Sequence, residues 1–285
     1  MDWTPGGLSD DVEDRRGSSG GGFGGGGLGI IGFIFLLILS LVTGRNFIGS
    51  YLSGGGAGPS RAAAPLPDEE KSAQLVSWTL DDVQKVWTVV LPEQTGKEYR
   101  HARLVLFRDY TQSGCGVAQS QTGPFYCPAD EKVYIDLGFW DELRRLGGST
   151  ADFAQAYVIA HELGHHVQNI LGIERQVRSL SRQEPSEQNP LSVKLELQAD
   201  CFAGIWAHST AQRHLIDRVD VAEGLKAAAA VGDDHIQKMT RGAVSPETFT
   251  HGTSAQRTEW FTRGLDEGQV SACDTFAAAK GGSSF

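Results

Sequence analysis

Three of the five residues in His161-Glu162-Leu163-Gly164-His165 can do chemistry together. Positions i and i+4 of a helix project from one face, so both imidazoles reach a single divalent cation. The carboxylate beside the first histidine then stands at the open side of that cation, placed to take a proton from water. The apolar run Tyr157-Val-Ile-Ala160 ahead of the motif reads as helix. This is the zincin arrangement, and the chemistry it implies is hydrolysis of a peptide bond by an activated water.

Two histidines leave such a site short of a ligand, because a catalytic zinc takes three protein ligands and keeps a fourth position for water. The segment Leu195-Glu196-Leu197-Gln198-Ala199-Asp200 supplies the third. Val193 through Trp206 is apolar enough for a buried helix, on which Glu196 and Asp200, four apart, share a face. Glu196 is the expected ligand. Asp200, one turn on, is placed to accept the free ring N–H of a zinc histidine and so fix its tautomer. His166 points about 100° away from His165 and is read as a structural polar contact. His208, His214 and His235 have no matching partner and are read as surface or structural residues.

The elements that must position these residues form an α+β domain, mostly helical with a small sheet, of zincin-like type. Asp152 to Leu171 should be the helix carrying the motif, capped by Ser149 or Thr150. Alternating residues predict strands at 102–108 and at Lys132–Asp136, and the second is expected to offer its edge to an extended substrate. Further helices are expected from Thr79 to about Val90, over 139–146, and near 190–210, 219–232 and 254–266.

Ahead of that domain the composition changes. Residues 1–27 are polar and then Gly/Ser-rich, which predicts disorder. Leu28 to Gly44 carries no charged residue, and continued to Ile48 it is long enough to span a bilayer. The expectation is a single-pass transmembrane anchor at 28–48, a flexible linker at 49–72, and the catalytic domain at 73–285. The four cysteines, Cys115, Cys127, Cys201 and Cys273, contain no C-x-x-C pair. They point to two disulfides, with Cys115–Cys127 and Cys201–Cys273 favoured and the other pairings open. Disulfides place the domain on the extracytoplasmic side of the cytoplasmic (inner) membrane. A net charge of −10 argues against a nucleic-acid partner.

The chain resembles the bacterial putative neutral zinc metallopeptidase family, whose members are membrane-anchored and gluzincin-like. The resemblance runs from about Asp10 to Phe276. It is carried by Val12-Glu-Asp-Arg-Arg-Gly17, Gly123-Pro-Phe-Tyr-Cys-Pro-Ala-Asp130, the Ala160–Gln168 motif, Leu195–Trp206, and Thr250-His-Gly-Thr-Ser-Ala-Gln-Arg257 with Trp260-Phe261. His251 to Arg257 is similar in spacing to an H-P-x-x-x-x-R element of the prenyl-protein peptidases, with Gly252 in place of proline. That likeness implies that His251 donates to the oxyanion of the tetrahedral intermediate and that Arg257 orients His251 or the substrate backbone. The reading is therefore a zinc metalloendopeptidase acting on peptide or protein substrates. The alternative is a catalytically inactive, zinc-stabilised binding or scaffold module of the envelope.

Overall fold

The computed structural model describes residues 1–17, 67–119 and 123–277. In chain order the elements are β1 (Val12–Asp14), α1 (Pro67–Thr95), β2 (Arg103–Phe107), β3 (Tyr110–Ser113), β4 (Gly116–Gln119), β5 (Phe125–Cys127), β6 (Lys132–Asp136), α2 (Phe139–Arg145), α3 (Asp152–Leu171), α4 (Ile173–Gln183), α5 (Gln188–Gln212), α6 (Arg218–Ala230), α7 (Asp233–Arg241) and α8 (Ser254–Glu267). The α+β expectation holds.

Side-chain alternation explains the sheet. Leu104, Leu106, Val133 and Ile135 face one way and join a helical core that includes Trp87, Phe153, Tyr157, Phe202 and Trp206. Val105, Phe107 and Tyr134 face the other way and pack with Ala118 of the β3–β4 hairpin and with Cys127. Both faces of β2 and β6 are thereby covered, as parallel strands require. The order is β1-β2-β6-β5, with β1, β2 and β6 parallel and β5 antiparallel. This corrects one expectation: β6 lies between β2 and β5 and has no free edge for a substrate. The Cys115–Cys127 disulfide ties the hairpin to β5, and Cys201–Cys273 ties the segment after α8 to α5. Both favoured pairings are formed.

The N-terminal segment is a second correction. Residues 1–17 belong to the folded body, although their composition predicts disorder. Compositional rules ask whether a segment can bury a core of its own; this one instead adds a strand to an existing sheet edge. Leu104 N donates to Asp11 O at 2.8 Å and Arg15 N to Leu106 O at 2.7 Å. Polar side chains complete the fit: Trp3 Nε1 donates to Asp152, Lys132 pairs with Glu13, and buried Arg16 pairs with Asp14 and Glu70. The linker expectation is also shortened, because α1 begins at Pro67 and runs through 67–72.

The apolar run 28–48 and most of the linker lie outside the described residues. Among the described residues no helix is long and apolar enough to cross a membrane. The β1–β2 pairing nevertheless bears on the single-pass expectation. Residues 12–14 and 103–107 share one sheet, and a chain crossing a bilayer once between them could not close it.

Candidate metal centre

The site forms where α3 crosses α5, and Gly164 sets how closely they approach. A Cβ at that position would lie 2.9 Å from the carbonyl oxygen of Ala199 and 3.1 Å from its Cα. Glycine inside the motif therefore lets the helix bearing Glu196 and Asp200 reach the two histidines. On the far side of α5, a Cβ at Gly264 would lie 1.9 Å from Cys201 O, so α8 is drawn in by the same device.

His161, His165 and Glu196 each turn a ligand atom to one point, all within 4.8 Å of one another. His161 Nε2 is 3.2 Å from Glu196 Oε2, and His165 Nε2 is 3.6 Å from Glu196 Oε1. A tetrahedron with metal–ligand bonds of about 2.0–2.1 Å has edges of roughly 3.4 Å. The three groups thus already stand at the spacing of zinc ligands, and the donor set of two imidazoles and a carboxylate suits that ion. Burial works to raise the Glu196 pKa, but His165 and His161 outweigh it and hold the carboxyl well below its ordinary range. Glu162, inside the motif, is buried, and that burial pushes its carboxyl above the ordinary glutamate value.

Behind His161 lies a fully buried hub. Asp200 Oδ1 accepts from His161 Nδ1 at 2.8 Å and from Tyr157 OH at 2.5 Å. Arg257 clamps the same carboxylate, Nε to Oδ2 at 2.8 Å and Nη2 to Oδ1 at 2.9 Å. Burial alone would raise Asp200; the Arg257 and His161 charges overcome it and hold the group at about 2. For His161 burial disfavours the imidazolium, yet Asp200 and Glu196 lift it to about 10, so an entering cation competes with a proton there. Asp200 takes its expected position. Arg257 is not bonded to His251: only 4% of its side chain is exposed, and it grips Asp200 and Tyr157. A guanidinium on α8 is the counter-charge that makes a buried aspartate tolerable.

His165 is steadied differently. Its Nδ1 lies 2.8 Å from Gln168 Oε1, and Gln168 Nε2 donates to Leu195 O and Gln198 Oε1 on α5. Gln168 was not singled out in the sequence, although its i+3 spacing from His165 was a usable signal. His166 turns away as expected: fully buried, it joins Tyr126 OH to the carbonyl of Arg100.

His251 stands on the loop between α7 and α8, with its side chain half exposed. The loop rests on α5 around Glu196. Ser192 Oγ donates to Thr250 O at 2.9 Å, and a Cβ on Gly252 would touch Val193 and Leu197. His251 Nδ1 is 3.1 Å from Oδ1 of Asp233, the first residue of α7. Burial opposes the imidazolium, but Asp233 and the Glu196 charge outweigh it and raise the His251 pKa. Asp233 is a second residue that sequence reading passed over, because nothing in the intervening stretch pairs it with His251.

Known proteins place this geometry in a family. The chain is 46% identical to the uncharacterized protein YpfJ of Escherichia coli K12 over 288 residues, covering 97% of this chain and 99% of that protein. It is 44% identical to the uncharacterized protein Rv2575 of Mycobacterium tuberculosis H37Rv over 214 residues, covering 70% of this chain and 69% of that one. No solved structure matches it. Residues 1–276 match the family described as putative neutral zinc metallopeptidase, a span that takes in the three ligands, Glu162 and the N-terminal strand, and the chain belongs to that family.

Proposed function

We propose that the protein is a zinc-dependent metalloendopeptidase. The observation that carries this reading is the convergence of His161, His165 and Glu196 at zinc-ligand spacing, with Glu162 on the same helix. Bound there, zinc supplies a Lewis acid and a water acidic enough to deprotonate near neutral pH. Glu162 takes the water's proton and later delivers it to the leaving amine. Asp200 and Gln168 hold the ligand rings by their Nδ1 atoms, which leaves Nε2 of each for the metal. His251 is the donor for the developing oxyanion.

Glu162→Gln is the decisive variant. It should keep its zinc, by metal analysis of the purified full-length chain, while hydrolysis of an unstructured protein such as casein is lost. A variant that cleaves as fast as the parent would overturn the assignment and favour the scaffold reading. The two disulfides support placing the folded body on the oxidising side of the membrane, with residues 28–48 as its membrane attachment. Rapid thiol trapping in intact cells should find all four cysteines blocked; four free thiols would place it in the reducing compartment.

A further inference from the structure

Asp233 uses its whole carboxylate on one short loop. Oδ2 accepts three consecutive backbone N–H groups, from Thr250 at 2.7 Å, His251 at 2.6 Å and Gly252 at 3.0 Å. Oδ1 accepts from the His251 ring at 3.1 Å. Four donors meet the roughly four lone-pair sites that an ionised carboxylate offers. In return Asp233 N donates to Gly252 O at 2.9 Å, so the loop is held from both sides.

Capping the loop needs only one of those oxygens. The other is spent on the imidazole of a half-exposed side chain, which a merely structural cap has no need to grip. A carboxylate only accepts, so the contact with Asp233 calls for a proton on Nδ1 of His251, which also lies 3.0 Å from the Thr250 hydroxyl, a group able to accept from it as well. Among the described residues Nε2 has no hydrogen-bond partner. The same loop lies against Ser192, Val193 and Leu197, which bracket Glu196 on α5, so His251 is carried on a loop held beside the candidate metal centre.

We propose that Asp233 is the positioning residue for His251, fixing the ring by Nδ1 so that Nε2 is the nitrogen presented to substrate. This rests on the metallopeptidase reading, and the test separates the two. In the full-length zinc-loaded chain, His251→Ala should lower kcat by about 10²-fold with little change in KM. Asp233→Asn keeps an oxygen for the loop amides but turns an N–H toward the ring; it should lower kcat about 10-fold. The double variant should be no slower than His251→Ala alone. Multiplying losses would mean that Asp233 acts apart from His251 and would overturn the proposal.

A second measurement does not depend on turnover. Long-range proton–nitrogen NMR of the His251 ring should find Nδ1 protonated in the parent chain, and the proton moved to Nε2 in Asp233→Asn. A parent ring protonated only at Nε2, or averaging between tautomers, would refute the assignment even if Asp233→Asn fails to fold. If the parent hydrolyses nothing, the peptidase reading falls, while the ring spectrum still decides for or against Asp233.

Discussion

Two aspartates each hold a histidine by Nδ1, one histidine buried and the other half exposed. Asp200 is fully buried on α5 and needs the Arg257 guanidinium and the Tyr157 hydroxyl to be there at all. Asp233, also buried, at the start of α7, is satisfied by backbone amides and one imidazole. The first pair is buried throughout and serves His161, one of the three groups at zinc-ligand spacing. The second pair holds the Thr250–Gly252 loop, on which the His251 side chain is half exposed. The partners thus set the two grips apart: a guanidinium offsets one buried carboxylate, and backbone amides satisfy the other.

The comparison breaks first, if it breaks, at Arg257. Arg257→Ala leaves Asp200 as an uncompensated buried charge, which costs about 3–5 kcal/mol, and chemical denaturation of the variant should register a loss of that size. A loss within error would mean that the hub is better solvated than its geometry says. A smaller effect sharpens the other side. The Asp233 carboxyl is pulled below its ordinary range: burial works to raise it, but the bonds from His251 and the loop amides prevail. A lowered carboxyl contributes stability that is fully present above about pH 4 and is lost as pH falls through the lowered value. Acidification below about pH 4 should therefore move the amide resonances of Thr250, His251 and Gly252 together. Shifts of one amide without the others would show that Asp233 does not bind them as a set.

Much of the inner site was legible because its information is local. His161, Glu162 and His165 lie within five residues, and Glu196 with Asp200 spans one helical turn, so spacing alone puts each set on a face. Arg257 was visible as a residue, yet its partner was misread. Its side chain reaches Asp200, 57 residues away, across a helix contact set by Gly204 and Gly264, and only the packed structure makes that pairing. Asp233 was invisible for the same reason. The sheet divides the same way: β2 and β6 announce themselves as short, β-branched- and aromatic-rich apolar runs. By contrast β1 and β5, three residues each, are too short for any period and are strands only because a neighbour offers hydrogen bonds. α4 and α7 also went unforeseen: they are short and mostly polar, although Ile173, Val177 and Leu180 mark one face of α4 at helical spacing.

The placement of β1 has a practical side. Composition suggests trimming the chain to residue 73, at the expected domain boundary. That cut would remove Val12–Asp14 and with it the hydrogen bonds along the outer edge of β2, and it would leave Glu13's partner Lys132 without its carboxylate. An uncovered edge of a parallel, apolar strand is a template for pairing with another copy. Residues 1–17 and the chain from Pro67 onward pack as one body, and a fragment lacking the first piece should be expected to associate through the gap.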